Sequence, residues 1–168
     1  MQSIEAMARE LRGHAAAGER RECLDLLGQM TTVVRQEQVL DVAMMNEFFA
    51  CMRMVATWYP QIWPAALEIA RAVHTARPEA NTAAMVIEAL RMSDQSPVAQ
   101  ELAFQSVHRF EITPELLVQT AAAYFAAGEV EAARKFLAAG SQHGCDLAPM
   151  IQREPTLQLL RPLLSEAE

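Results

Sequence analysis

The chain has few of the residues that β-sheets and disulfide frameworks require. Aromatic residues make up 6% of its 168 residues, and it contains 6 glycines and 3 cysteines. No run of alternating β-branched residues bounded by turns is long enough to predict a sheet. An odd number of cysteines without a CxxC spacing does not suit a disulfide framework, so we expect a reduced, cytoplasmic setting.

A basic surface and a long apolar run are also missing. The formal net charge is −7, whereas nucleic-acid binding needs a concentration of positive charge that faces the phosphates. No segment approaches the about 18 consecutive apolar residues of a membrane-spanning helix. Glu5, Arg9 and Glu10 stand where a signal peptide would have its apolar core. We therefore expect neither a nucleic-acid partner nor a membrane span.

The side chains that carry chemistry are scattered along the chain. The four histidines are His14, His74, His108 and His143, and they form no HExxH motif and no paired ligands one helical turn apart. His143 and Cys145 are two residues apart, but no second pair completes a four-ligand metal site. A glycine-rich phosphate loop is absent as well. We expect a non-enzymatic protein with no catalytic residues, no metal and no cofactor.

What the chain has in abundance is apolar residues at helical spacing. Hydrophobic residues make up 52% of the sequence, and their recurrence at three and four residues predicts an all-α fold. Candidate N-caps are Ser3, Asn81, Ser96 and Thr113, and the last two are followed by proline. The predicted helices cover residues 3–17, 20–32, 40–58, 61–76, 81–92, 97–109, 114–127 and 129–139, with short C-terminal helices and a polar tail over residues 165–168.

The stretch over residues 120–140, TAAAYFAAGEVEAARKFLAAG, resembles the helix–turn–helix unit of tetratricopeptide repeats of bacterial type. The matching residues are Tyr124, Gly128, Ala133 and Leu137, with Gly140 where the family prefers a small residue. A glycine at position 128 suits a chain reversal, because glycine adopts a positive φ at little cost. Ala133 is small enough to let two helices approach closely, so we expect it to be buried.

The small residue that starts each second helix recurs along the chain at Cys23, Ala66, Ala99 and Ala133. The intervals are 43, 33 and 34 residues, against a family period of about 34. The resemblance implies a right-handed α-α superhelix, a tetratricopeptide-like solenoid of about four helical pairs with a C-terminal capping segment. One domain over residues 1–168 would hold repeats at about 3–34, 41–78, 80–111 and 114–140, and a closing segment at 141–168.

The predicted helix over residues 40–58 has apolar residues on more than one face, which a two-layer helical repeat does not need. We interpret the surplus as a groove that binds an apolar or amphipathic segment of another protein, in a scaffold or chaperone-like role. The alternative for this helix is burial in the middle of a small globule. The alternatives for function are a self-associating structural subunit of an assembly, such as a secretion-system accessory protein, and a helical enzyme. The predicted groove residues are Phe48, Met52, Val55, Trp58, Met85, Arg91 and Phe125.

Overall fold

The computed structural model describes residues 3–36 and 41–164, and within these ranges the chain is all helical without a strand. The predicted all-α class is therefore confirmed. The helices are α1 (Ile4–Ala16), α2 (Arg20–Gln36), α3 (Val42–Ala56), α4 (Trp63–Ala76), α5 (Ala80–Met92), α6 (Ser96–Arg109), α7 (Pro114–Ala126), α8 (Val130–Gln142), α9 (Ala148–Arg153) and α10 (Arg161–Leu164), with 3-10 helices at Pro60–Ile62 and Pro155–Leu160.

The long helices begin and end close to the predicted positions. The largest difference is at α2, which runs four residues beyond the predicted end at residue 32. The start predicted at residue 40 and the polar tail predicted over 165–168 lie outside the described residues. Within the described ranges, none of the helices combines the length and apolar character that crossing a membrane requires.

Two of the four predicted N-caps are confirmed and two are wrong. The hydroxyl oxygens of Ser3 and Thr113 accept backbone N–H groups at 3.2 and 3.3 Å, as caps do. Asn81 lies inside α5, whose N-cap is Glu79, and Ser96 is the first residue of α6 rather than its cap. The carbonyl oxygen of the Asn81 side chain instead accepts the Thr113 hydroxyl at 3.1 Å, so it joins the starts of two helices.

The chain divides into two compact units, Met1–Ile69 and Ala70–Glu168, and the boundary falls within α4. The single helical-repeat domain expected over residues 1–168 stays a prediction. In the first unit, α1 packs against α2 and α3. Its core includes Phe48 and Phe49, whose rings meet edge to face with centroids 5.8 Å apart.

In the second unit, α5 pairs with α6 and α7 pairs with α8. Gly128 reverses the chain between α7 and α8 with a φ of +86°, as its place in the sequence predicts. Ala133 is fully buried at the start of α8, in one apolar cluster with Ala121 of α7. Tyr124 and Phe136 pack beside this contact with ring centroids 5.1 Å apart. The predicted close approach of the two helices is confirmed.

The C-terminal segment folds back onto this last helical pair. It consists of α9, the second 3-10 helix and α10, and it contributes apolar side chains to the cluster that α7 and α8 form. The buried members from the segment and the residue before it are Leu147, Ile151, Leu157, Leu160 and Leu163. They cover Leu117, Val118, Ala121 and Ala122 of α7. A closing segment was expected here, and the structure shows which face of α7 it covers.

Candidate functional site

Three of the four predicted groove residues of the first unit lie in its core. Phe48 and Val55 are 0% exposed and Met52 is 2% exposed. Trp58 is half-buried, and the guanidinium carbon of Arg20 lies 5.5 Å from the centroid of its ring. Three of these four side chains therefore offer no surface to a partner, which corrects the interpretation of the α3 stripe as an open groove. The stripe is apolar because it packs inside the protein.

Two of the three predicted residues of the second unit are also buried. Met85 is 6% exposed and Arg91 is 7% exposed. An Nη2 hydrogen of Arg91 is donated to Oε1 of Gln119 across 3.2 Å, so this cation is part of a buried polar contact. Phe125 is half-buried and packs against the apolar cluster of α7, α8 and the C-terminal segment. Met85 and Arg91 therefore offer almost no surface to a partner, and Phe125 offers part of its ring.

An open groove does exist in the second unit, between the C-terminal part of α4 and α6. We call it the α4–α6 groove, and its volume is about 390 Å³. Its floor is formed by Val86 and Leu90 of α5, which are 3% and 1% exposed. The residues that line its walls are Arg71, His74 and Thr75 on α4, and Val98, Glu101, Leu102 and Gln105 on α6.

The α6 wall arises from helical periodicity. Val98, Leu102 and Gln105 follow one another at four and three residues, and this spacing places side chains on one face of a helix. Val98 is 49% exposed, so α6 presents an apolar side chain to solvent at the edge of the groove. Phe104, 50% exposed, lies outside the groove lining and packs against His108 with ring centroids 4.5 Å apart.

Opposite charges stand on the two walls of the groove. Arg71 lies on α4 and Glu101 lies on α6, and both are exposed. Gln105 donates an amide hydrogen to Oε1 of Glu101 across 2.7 Å, which orients the carboxylate along its own helix. Such an arrangement favours an occupant that is apolar in the middle and carries opposite charges on its two sides.

His74 lies on the α4 wall of the groove beside the hydroxyl of Thr82. The Thr82 hydroxyl lies within hydrogen-bonding distance of two backbone carbonyl oxygens, that of Arg77 at 2.7 Å and that of Glu79 at 3.0 Å. Nδ1 of His74 lies 2.9 Å from the same hydroxyl oxygen and shares a hydrogen bond with it. Burial lowers the pKa of His74 below its usual value, and the positive charge of Arg109 lowers it further. Burial and the neighbouring charge of Arg109 therefore both favour the neutral imidazole.

The sequence alone did not indicate that Val98 and Leu102 line a groove. An apolar face on α6 is also what packing against a neighbouring helix would require. Within residues 3–36 and 41–164, no three His, Cys, Asp or Glu side chains gather in a way that could hold a metal ion. Burial raises the pKa of the Cys51 thiol to about 11. What the α4–α6 groove offers chemically is an apolar floor, two charges and a hydrogen-bonding imidazole.

No protein-family model, no curated protein and no solved structure matches the chain.

Proposed function

We propose that this chain is a non-enzymatic protein–protein interaction module, and that its α4–α6 groove binds an amphipathic helical segment of another protein. The observation that carries the proposal is an open groove with an apolar floor and a half-exposed valine at its edge. Grooves of this kind receive the apolar face of a helix, with anchors spaced three or four residues apart. The role is that of a scaffold or a chaperone-like binder in the cytoplasm.

We further propose that the helical pairs stack as in a tetratricopeptide-like solenoid. Its support is the burial of the four repeat positions, because Cys23, Ala66, Ala99 and Ala133 are each 0% exposed. A small residue at such a position lets the second helix of a pair approach its neighbour closely. The 33- and 34-residue intervals between the three alanines fit one structural unit per repeat.

The charges beside the floor specify the occupant more closely. We expect a helix with two or three apolar residues on one face, an acidic residue on the side of Arg71 and a basic residue on the side of Glu101. The basic residue is also favoured by the net charge of −7, which raises the rate of encounter with cationic segments. A helix with acidic residues on both sides would place one of them next to Glu101 whichever way it runs, and would bind less well.

A synthetic helical peptide of about 18 residues, with leucines on one face and lysine and glutamate on its two sides, tests this proposal. Its affinity for the full chain is measured by fluorescence anisotropy at low and at moderate salt. We expect Val98→Glu to weaken binding at least about tenfold, because the new carboxylate would be desolvated by the apolar anchor. A peptide with glutamate in place of the lysine should bind more weakly to the unaltered protein, because one carboxylate then meets Glu101 in either direction.

Phe104→Glu is the matched control. It introduces the same charge on the same helix at a residue of equal exposure, but outside the lining of the groove. If Phe104→Glu weakens binding as much as Val98→Glu does, the outer face of α6 is the binding surface and the groove is not. Light scattering of both variants distinguishes the alternative function, self-association. If the unaltered protein is a dimer that Val98→Glu separates, the occupant is a second copy of the chain.

A further inference from the structure

A second surface of this protein is already occupied, by the chain itself. Residues 147–164 lie on α7 and reach α5, and we call the covered surface the α5–α7 face. Its apolar part consists of Leu117, Val118, Ala121 and Ala122. At its α5 side, the hydroxyl of Thr156 donates a hydrogen bond of 2.6 Å to Oε1 of Glu88, a residue 68 positions away in the chain.

The α5 side of this face is polar although it is buried. Glu88 is 0% exposed and Arg91, one turn further along α5, is 7% exposed. Arg91 bonds to Gln119 of α7, which is 5% exposed. A charged group loses its hydration when it is buried, and an apolar contact of the same shape is often as stable or more stable. If the segment only covered an apolar helix, a buried glutamate and a buried arginine on α5 next to it would not be needed.

The covering segment is built from short elements. Its three elements are six, six and four residues long, whereas isolated helices shorter than about 12 residues are marginal in water. Pro149, Pro155 and Pro162 each remove one backbone donor from it. Hydrogen bonds from Gln158 and Arg161 to backbone carbonyls join these elements to one another. Their apolar side lies on the α5–α7 face, as a short peptide lies on a binding surface.

We infer that the α5–α7 face is a binding site for a leucine-rich, proline-containing segment of a partner protein, and that residues 147–164 occupy this site in cis until such a segment displaces them. The partner segment would place leucine or isoleucine side chains on the apolar part of α7. It would also donate a hydrogen bond to Glu88, from a hydroxyl or an amide, where Thr156 does so now. This site is separate from the α4–α6 groove, and the inference does not depend on the function proposed for that groove.

The test uses a fluorescein-labelled peptide with the sequence of residues 147–164 as a stand-in for the partner segment. It is titrated into the full chain, into the Thr156→Val variant and into the Thr156→Ser variant. Valine keeps the size of threonine but donates no hydrogen bond to Glu88. The added peptide should therefore displace residues 147–164 more readily. We expect Thr156→Val to bind the peptide at least about tenfold more tightly than the unaltered protein does, and Thr156→Ser to bind it within about twofold of the unaltered protein.

A second peptide carries valine in place of the threonine and therefore donates no hydrogen bond to Glu88. It should bind more weakly than the first peptide to the unaltered protein and to both variants. Binding of the first peptide that is equal for the unaltered protein and Thr156→Val, or absent from both, would overturn the inference.

Hydrogen exchange of the unaltered protein provides a readout that needs no variant. Amides within residues 150–164 should exchange at least about tenfold faster than those in the middle of α7, because the segment opens while α7 stays folded. Equal exchange rates would show that the segment is an inseparable part of the core.

Discussion

The contact between Gly140 and Leu147 gives a prediction whose sign can be worked out from the structure. Gly140 lies in α8, and a Cβ atom added to it would be 2.8 Å from Cγ of Leu147 and closer still to Cδ1. Carbon atoms that are not bonded make favourable contacts only at about 3.5–4.0 Å. Leu147 is 5% exposed and belongs to the apolar cluster of the second unit, so it has little room to move.

Two opposing effects determine the stability of Gly140→Ala. Alanine in a helix interior is more favourable than glycine by about 1 kcal/mol. Overpacking of a well-filled core costs about 1–3 kcal/mol. The net expectation is a loss of about 0–2 kcal/mol of unfolding free energy, whereas the same substitution at an unobstructed helical site should give a gain.

Gly28→Ala is that unobstructed control. Gly28 lies inside α2 and is exposed, and a methyl group added to it would meet no heavy atom within 4 Å beyond its own helix backbone and chain neighbours. We expect this variant to gain about 0.5–1 kcal/mol. Urea denaturation followed by circular dichroism measures both variants against the unaltered protein.

A double-mutant cycle links the effect to Leu147. Leu147→Ala alone should cost about 2–5 kcal/mol, because it leaves a cavity in the cluster. In that background Gly140→Ala should no longer destabilise, since the obstructing side chain is gone, and the interaction energy should fall in the range of about 0.5–3 kcal/mol. If Gly140→Ala instead raises stability as Gly28→Ala does, Leu147 is not packed against α8 and the reasoning is refuted.

Three further predictions concern groups at or near the surface. The pKa of His14 is raised by its hydrogen bond to Glu19. The stabilisation that this bond provides is therefore complete below the unfolded pKa of about 6.5 and is lost as the pH rises through the folded pKa. Proton NMR titration of Glu19→Gln should show the pKa of His14 returning toward its usual value. Cys145, half-buried, should be the one thiol among the three that a maleimide labels in the folded protein, because the other two are fully buried; rapid labelling of a second thiol would contradict the structure. Trp63 is 1% exposed, whereas Trp58 is half-buried. Trp58→Phe should therefore remove the part of the tryptophan fluorescence that acrylamide quenches. If acrylamide still quenches the variant, Trp63 is not buried as the structure has it.

Local sequence was enough to predict the helices and most of their connections. The helical spacing of apolar residues specifies which residues turn toward the same side, and this is a property of a few consecutive turns. Gly128 and Thr113 were predictable for the same reason, because a positive φ and an N-cap depend on the residue itself and its near neighbours. The caps at Asn81 and Ser96 were predicted wrongly, since several polar residues near a helix start compete and contacts distant in sequence select among them.

The candidate sites depended on tertiary structure, because periodicity shows that a face is apolar and does not show what covers it. The stripe with Phe48 and Val55 on α3 satisfied every sequence criterion for a groove, yet neighbouring helices bury it completely. Val98 on α6 belonged to an equally ordinary apolar face, but α4 stays far enough away to leave a groove beside it. Nor does the sequence place Thr156 on Glu88, since a contact across 68 residues forms only when the chain has folded back on itself. The sequence by itself determined where this chain is helical, and packing between distant segments decided which of its apolar faces meet water.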